Sequence, residues 1–413
     1  MSTDGLSAYF DDLEICSPAE RERQLFAALP DQIAHAQATT EFYQQALAGV
    51  DPLAITSRTA LAGLPVTRKS ALKALQAARP PFGGLVARGE AIGRVFQSPG
   101  PIYEPQGNEP NFWRAARALH AAGFRAGDLV HNSFSYHFTP GGWIFDDGAR
   151  ALGCLVFPAG VGQTEQQAEA LAALHTTGYC GTPGFLRTLL EKCRELGLDH
   201  ASLTKALVSG EALPPSLREL LAGYGVDVYQ AYATADLGVI AYETPARDGL
   251  VVDEGVIVEI VRPGTGDPLP VGEVGEVLVT LLSAAYPLIR FATGDLSKIL
   301  DGPSPCGRTN MRLAGWMGRA DQTTKIKGMF VHPEQVAEIL KAHPGLDKAR
   351  VVVGSEDNRD TMTVRLETDQ AIDTALVAAT VKAVTKLSAV IELVAPGSLP
   401  NDGKVIDDQR TYQ

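Results

Sequence analysis

The spacing of apolar positions along this chain changes as it proceeds, and each change marks a different kind of structure. Across residues 1–80, stretches such as AERERQLFAALPDQIAHAQ and TRKSALKALQAA place apolar side chains three and four apart, the period of a helix with one buried face. Residues 90–300 alternate between types. DLVHNSF and CLVFPAG are short strand-like runs, while NEPNFWRAARALHAAG, TEQQAEALAALH and GFLRTLLEKCREL are amphipathic. Strand, helix and strand at that spacing predict parallel strands layered with helices. Between 250 and 300 the period drops to two. GVIVEIV and GEVLVTLL, separated by the Gly/Pro cluster RPGTGDPLPVGEV, predict an antiparallel meander.

After about residue 317 a smaller unit begins. It reads as helix HPEQVAEILKAH, strands KARVVVGSE and TMTVRLETD, helix IDTALVAATVKAVTKL and strand AVIELVAP. The expected fold class is α/β. A large N-terminal domain, residues 1–317, combines a helical start, layered α/β sheets and the antiparallel β meander; a small mobile α+β domain follows over 318–413. No internal repeat or low-complexity tract interrupts either part.

Composition narrows the partners. With 413 residues and 45% apolar content, two or three domains with real cores are expected. A net charge of -12 without a basic stripe excludes general nucleic-acid binding. The five cysteines, Cys16, Cys154, Cys180, Cys193 and Cys306, form no CxxC pair, which points to a reducing, cytoplasmic location. The start MSTDGLSAYFDD has no apolar signal core, and no apolar run reaches the roughly 18 residues of a membrane span. The absence of GxGxxG after a strand, of GxxxxGK[ST] and of HExxH argues against a dinucleotide dehydrogenase, a P-loop NTPase and a zincin protease.

Four stretches carry candidate chemistry: VYQAYATAD ending at Asp236, FATGDL ending at Leu296, GRADQTTKIKG over Gly318 to Gly328, and NDGKVID with Lys404. Singly each is weak; TGD is more often a hairpin loop, and a lysine in an Asn-Asp-Gly turn is usually only solvated. In this order and spacing the chain resembles the adenylate-forming superfamily of acyl-CoA synthetases, adenylation domains and luciferases. It is most similar to the phenylacetate-CoA ligase branch, on ALGCLVFPAGVGQTEQQ, FTPGGW, CGRT and VAPGSLPNDGK. The resemblance runs from YQQALAGVDP to the C-terminal region.

That resemblance implies a carboxylic acid activated by ATP to an acyl-adenylate, then transferred to the thiol of coenzyme A as the small domain rotates. AMP is the product. Asp295 would hold the ribose hydroxyls and Tyr232 would stack on adenine, with Gly210 and Glu211 of SGEA on the opposite wall. Arg319 and Lys327 would add positive charge, and Asp321 would be the hinge. Lys404 would be catalytic, lying between two mutually repelling anions, the α-phosphate and the acid. His137, Phe138, Gly181, Thr182 and Pro183 would line the acyl pocket, His137 equally readable as a satisfied wall residue. Asp236 would bind magnesium.

The family's phosphate loop, roughly SSGTTGKP, aligns with SPGPIYEP, Ser98 to Pro105. Around Ser98 and Gly100, both threonines are replaced, Tyr103 takes a glycine's place and Glu104 the lysine's. Prolines 99 and 101 also remove two amide donors. Each hydrogen bond to a charged phosphate is worth roughly 1.5–3 kcal/mol, so triphosphate binding here is expected to be weak or supplied from elsewhere. No structural zinc is expected, since Cys306 stands without partner thiols, and it reads as a buried or turn thiol.

The leading expectation is an AMP-forming acid–coenzyme A ligase for an aromatic or medium-sized acid, and the resemblance makes a homodimer one expected assembly. The alternatives are a homologue that binds nucleotide or acyl ligand without activating acids, and an adenylate former with another acceptor.

Overall fold

The computed structural model describes residues 8–410 except 264, 321–323, 328, 332, 357–358 and 400–404. The chain divides into two compact units between Met317 and Gly318.

A nine-stranded sheet forms the body of the first unit. Its parallel half runs, in spatial order, Leu155–Phe157, Leu129–Asn132, Gly178–Gly181, Lys205–Val208 and Asp227–Thr234. It continues antiparallel through Gly238–Glu243, Leu250–Val252, Arg312–Leu313 and Ile299–Leu300. The helices predicted between the parallel strands are present. In Pro183–Leu196, Thr182 caps the first turn by accepting from the Phe185 amide, and Pro183 occupies a position where a missing N–H costs nothing. Leu186, Leu189, Leu190 and Cys193 make one buried stripe, and Gly197 ends the helix in the left-handed region.

NEPNFWRAARALHAAG is helical only over Ala115–Ala121. The Asn111 side chain accepts from the Ala116 amide, and Arg114 sits at φ 60°, so the chain turns sharply before the helix begins. The opening segment, expected to be helical throughout, also contains a two-residue strand, Thr67–Arg68. It pairs in parallel with Phe291 and Ala292 at the edge of a second sheet, which continues through Gly275–Leu281 to Val256–Val261. Those last two strands are the predicted meander, paired from Val256↔Leu281 to Val261↔Glu276.

One buried cation ties the opening segment to this sheet. The Arg290 side chain is 2% exposed, and each of its five N–H groups has a partner: both oxygens of Glu259 and the carbonyls of Ala62, Leu64 and Gly266. A planar fork meeting five acceptors is the arrangement in which a guanidinium tolerates burial. It fixes the start of strand Phe291–Ser297, on which Asp295 stands.

The second unit holds a four-stranded sheet in the order Val390–Val394, Arg359–Glu367, Lys348–Glu356 and Ile406–Asp408. Helices Pro333–Ala342 and Thr374–Thr385 pack on each other and on the sheet, enclosing Val336, Ile339, Val351, Val364 and Val377. The predicted helix–strand–strand–helix–strand order is present. The strand Ile406–Asp408 and a hairpin of Thr324–Ile326 with Met329–Val331 add to it.

Candidate nucleotide and acyl site

TGD is a bulge inside a strand, not a hairpin loop. From Ala292 to Leu296 the strand advances four residues while its partner advances two, from Leu278 to Glu276. Gly294 takes φ 77° there, a conformation that glycine adopts at little cost. The bulge re-aims Asp295, which is 8% exposed. Its two oxygens accept from different elements: Oδ2 from the Tyr232 hydroxyl at 2.9 Å and Oδ1 from the Trp316 indole at 3.1 Å. The Tyr232 hydroxyl also lies 3.3 Å from Thr293 Oγ1, which donates to the Val277 carbonyl. Tyr232 stands on the nine-stranded sheet and Asp295 on the meander sheet, so the pair bridges the two.

Four residues beyond Tyr232, Asp236 is buried and receives the Lys69 ammonium at 2.5 Å on Oδ2. Its Oδ1 is buried with no hydrogen-bond partner among the described residues. Lys69 immediately follows Thr67–Arg68, so the edge pairing with Phe291 and Ala292 delivers it to this end of the sheet.

The segment aligned with the phosphate loop is a regular hairpin, Ile92–Ser98 with Ile102–Gly107. Glu104, at the position aligned with the family's lysine, lies on the hairpin's inner face. It is fully buried, and its carboxyl takes both the Ser98 amide, at 3.1 Å, and the Ser98 hydroxyl. Burial pushes this carboxyl up to about 8; the charge of Asp236 pushes the same way, while Ser98 and Lys69 oppose it. Tyr103 is tied by its backbone to the Gln76 side chain, at 2.8 and 2.7 Å.

The strand Leu129–Asn132 leads into the loop that carries His137 and Phe138. Asn132 Nδ2 donates to the Tyr136 hydroxyl and to the Gly142 carbonyl, Tyr136 donates to Asp146, and Trp143 donates to the Tyr136 carbonyl. His137 and Phe138 lie exposed at the tip, Phe138 at 75%. A further aromatic of this loop, Phe134, approaches Gly210. A Cβ placed on Gly210 would stand 3.9 Å from Thr182 and 4.0 Å from Phe134. Gly181 ends a buried strand, and Thr182 and Pro183 open the following helix. Glu211 accepts from the Gly184 amide at that helix's first turn.

Arg319 and Lys327 belong to the second unit, where Lys327 is exposed and its amide donates to Asp360 at 2.7 Å. Lys404 and Asp321 lie outside the described residues. Cys306 is a half-buried turn thiol, 3.1 Å from Ser304 Oγ. Burial pushes it up, but bonds from Ser304, Thr244 and Arg308 outweigh that and lower it. Among the described residues no three His, Cys, Asp or Glu gather as metal ligands, and no helix is long and apolar enough to cross a membrane.

Residues 136–281 match the model of the AMP-binding enzymes, and residues 328–410 match that of the AMP-binding enzyme C-terminal domain. A phenylacetate-coenzyme A ligase of Thermus thermophilus is 32% identical, over 82% of this chain and 79% of its own. One from Aromatoleum evansii is 31% identical, over 86% and 84%. A crystal structure of a 2-hydroxyisobutyryl-CoA ligase, in complex with 2-HIB-AMP and CoA in its thioesterification state, superposes with TM-score 0.76. It is 27% identical, covering 98% of this chain and 93% of that one. The chain therefore belongs to the family of AMP-binding enzymes. Within that family its similarity runs to the acid–coenzyme A ligases.

Proposed function

We propose that the chain joins a small carboxylic acid, aromatic or medium-sized, to coenzyme A through an acyl-adenylate. It is an AMP-forming acid–coenzyme A ligase. The carrying observation is the carboxylate of Asp295, held from both sides by Tyr232 and Trp316 at a bulge in its strand. A fixed, nearly buried carboxylate suits two adjacent ribose hydroxyls, because it accepts from both without reorganising. The half-buried Tyr232 ring beside it offers a face for adenine.

The acid would enter beside Phe134, Thr182 and Gly210, at the carboxyl ends of the parallel strands, where open α/β sheets bind ligands. ATP and its magnesium fit the chemistry nearby. Asp236 Oδ1 is a buried oxygen donor without a partner among the described residues, the kind of atom a hard cation takes. Magnesium held there would neutralise phosphate charge, and Lys69, already paired with Asp236, is a second cation at the same end of the site. Lys404 is assigned the neutralisation of α-phosphate and substrate carboxylate, and Asp321 the hinge, on motif position. A cytoplasmic location follows from the thiol pattern, and a homodimer is the expected assembly.

The test is pyrophosphate release from ATP and magnesium across a panel of aryl and alkyl acids, with thioester formation followed after adding coenzyme A. Asp295→Ala should reduce both at least 100-fold. No release with any acid, or full release from the variant, defeats the reading.

A further inference from the structure

We propose that Glu104 is a specificity-determining residue, an internal occupant of the Ser98 donors that nucleotides bearing a pyrophosphate tail must displace and that AMP leaves in place. This rests on the nucleotide reading of the Asp295–Tyr232 site.

Three observations carry it. The first is the supply of donors. In the turn Pro99–Gly100–Pro101 only glycine has an amide hydrogen, and the Tyr103 amide is committed to Gln76. Ser98 therefore brings the hairpin's clearest amide-plus-hydroxyl pair, the combination that grips an anionic oxygen. The second is where that pair is spent. Both donors close on the Glu104 carboxyl, six residues further on and fully buried. The third is direction. Ser98 and Glu104 share the hairpin's buried face, and the Glu104 carboxyl senses the charges of Asp236 and Lys69. Lys69 occupies Asp236, where a metal is assigned, and the Glu104 carboxyl occupies the Ser98 donors, so the protein's own side chains already take up these polar groups.

A triphosphate arriving here must displace the Glu104 carboxyl from the Ser98 amide and hydroxyl, and keeps only the difference between the two sets of contacts. A monophosphate bound at Asp295 need not disturb the hairpin. The site thus grips the nucleoside and discounts the tail.

The experiment is ATP–pyrophosphate exchange with Glu104→Ala, together with equilibrium binding of AMP to the same protein. KM for ATP and the inhibition constant of pyrophosphate are expected to fall at least fivefold, while AMP affinity stays within twofold of the wild type. A purely structural role for Glu104 would lower stability without that split. If Glu104→Ala does not fold, Glu104→Gln, which keeps the shape but lacks one acceptor, is expected to move both constants about threefold the same way. Unchanged or raised constants in the folded variant overturn the inference. Failure of the wild type to bind AMP at all overturns the nucleotide reading instead, so the two failures are distinct.

Discussion

Lys69 Nζ stands 2.5 Å from Asp236 Oδ2, joining an edge strand of one sheet to the end of a strand in another. The Asp236 side chain is fully buried and the lysine a quarter exposed. Removing the cation strands a carboxylate out of water, so Lys69→Met should destabilise the protein by about 3 kcal/mol. Adding Asp236→Asn should recover most of that loss, because the double variant buries no unpaired charge. Urea denaturation of the four proteins of this cycle checks it, and additive losses would count against coupling.

Tyr232→Phe removes one hydrogen bond to a carboxylate and keeps the ring. AMP affinity should fall about 10-fold, in line with roughly 1.5 kcal/mol for a charged hydrogen bond, as Asp295 loses its fixed orientation. Calorimetric titration with AMP reads it directly. A fall of 100-fold or more would mean that the hydroxyl contacts the nucleotide itself.

Glu104 makes stability depend on pH in a direction unusual for a carboxyl. Its acid is pushed from an ordinary 4.5 up to about 8 by burial, with Asp236 adding to the push. A raised group contributes stability that is complete below its unfolded value and lost as pH rises through the folded one. The denaturation midpoint should therefore decline between about pH 4.5 and 8, and Glu104→Gln, which cannot ionise, should flatten that decline. A variant with the same slope as the wild type would assign the effect to another group.

Arg290 satisfies five acceptors within the protein. Arg290→Met leaves Glu259 buried and unpaired along with three carbonyls, a loss of about 3–5 kcal/mol. Arg290→Lys should not rescue it, since three tetrahedral donors cannot replace a planar fork. Thermal unfolding of both variants measures this.

Much of this architecture was legible in the sequence. The period of two over GVIVEIV and GEVLVTLL became strands Val256–Val261 and Gly275–Leu281, and each predicted element of the small domain formed. Asp295 and Tyr232, named from separate stretches, meet at 2.9 Å. The misses have physical causes. Lys69 sits in a run whose helical period hid its pairing with Asp236, because an edge strand of two residues leaves no periodic signal. Substitution counting at Ser98–Pro105 assumed that Glu104 would point at a ligand, whereas strand alternation turns it inward.

The indole of Trp316 gives the protein an optical readout of its own occupancy. Of the three tryptophans, Trp113 is 1% exposed in the core and Trp143 lies beneath the Arg94 guanidinium, whereas Trp316 is 50% exposed with its N–H on Asp295. A sugar hydroxyl that donates to the same oxygen shares its lone pairs with the indole and changes the field at the ring, and the emission of this one residue should shift as it does. Ligand titrations by intrinsic fluorescence, without label or coupled assay, follow from where a single nitrogen points.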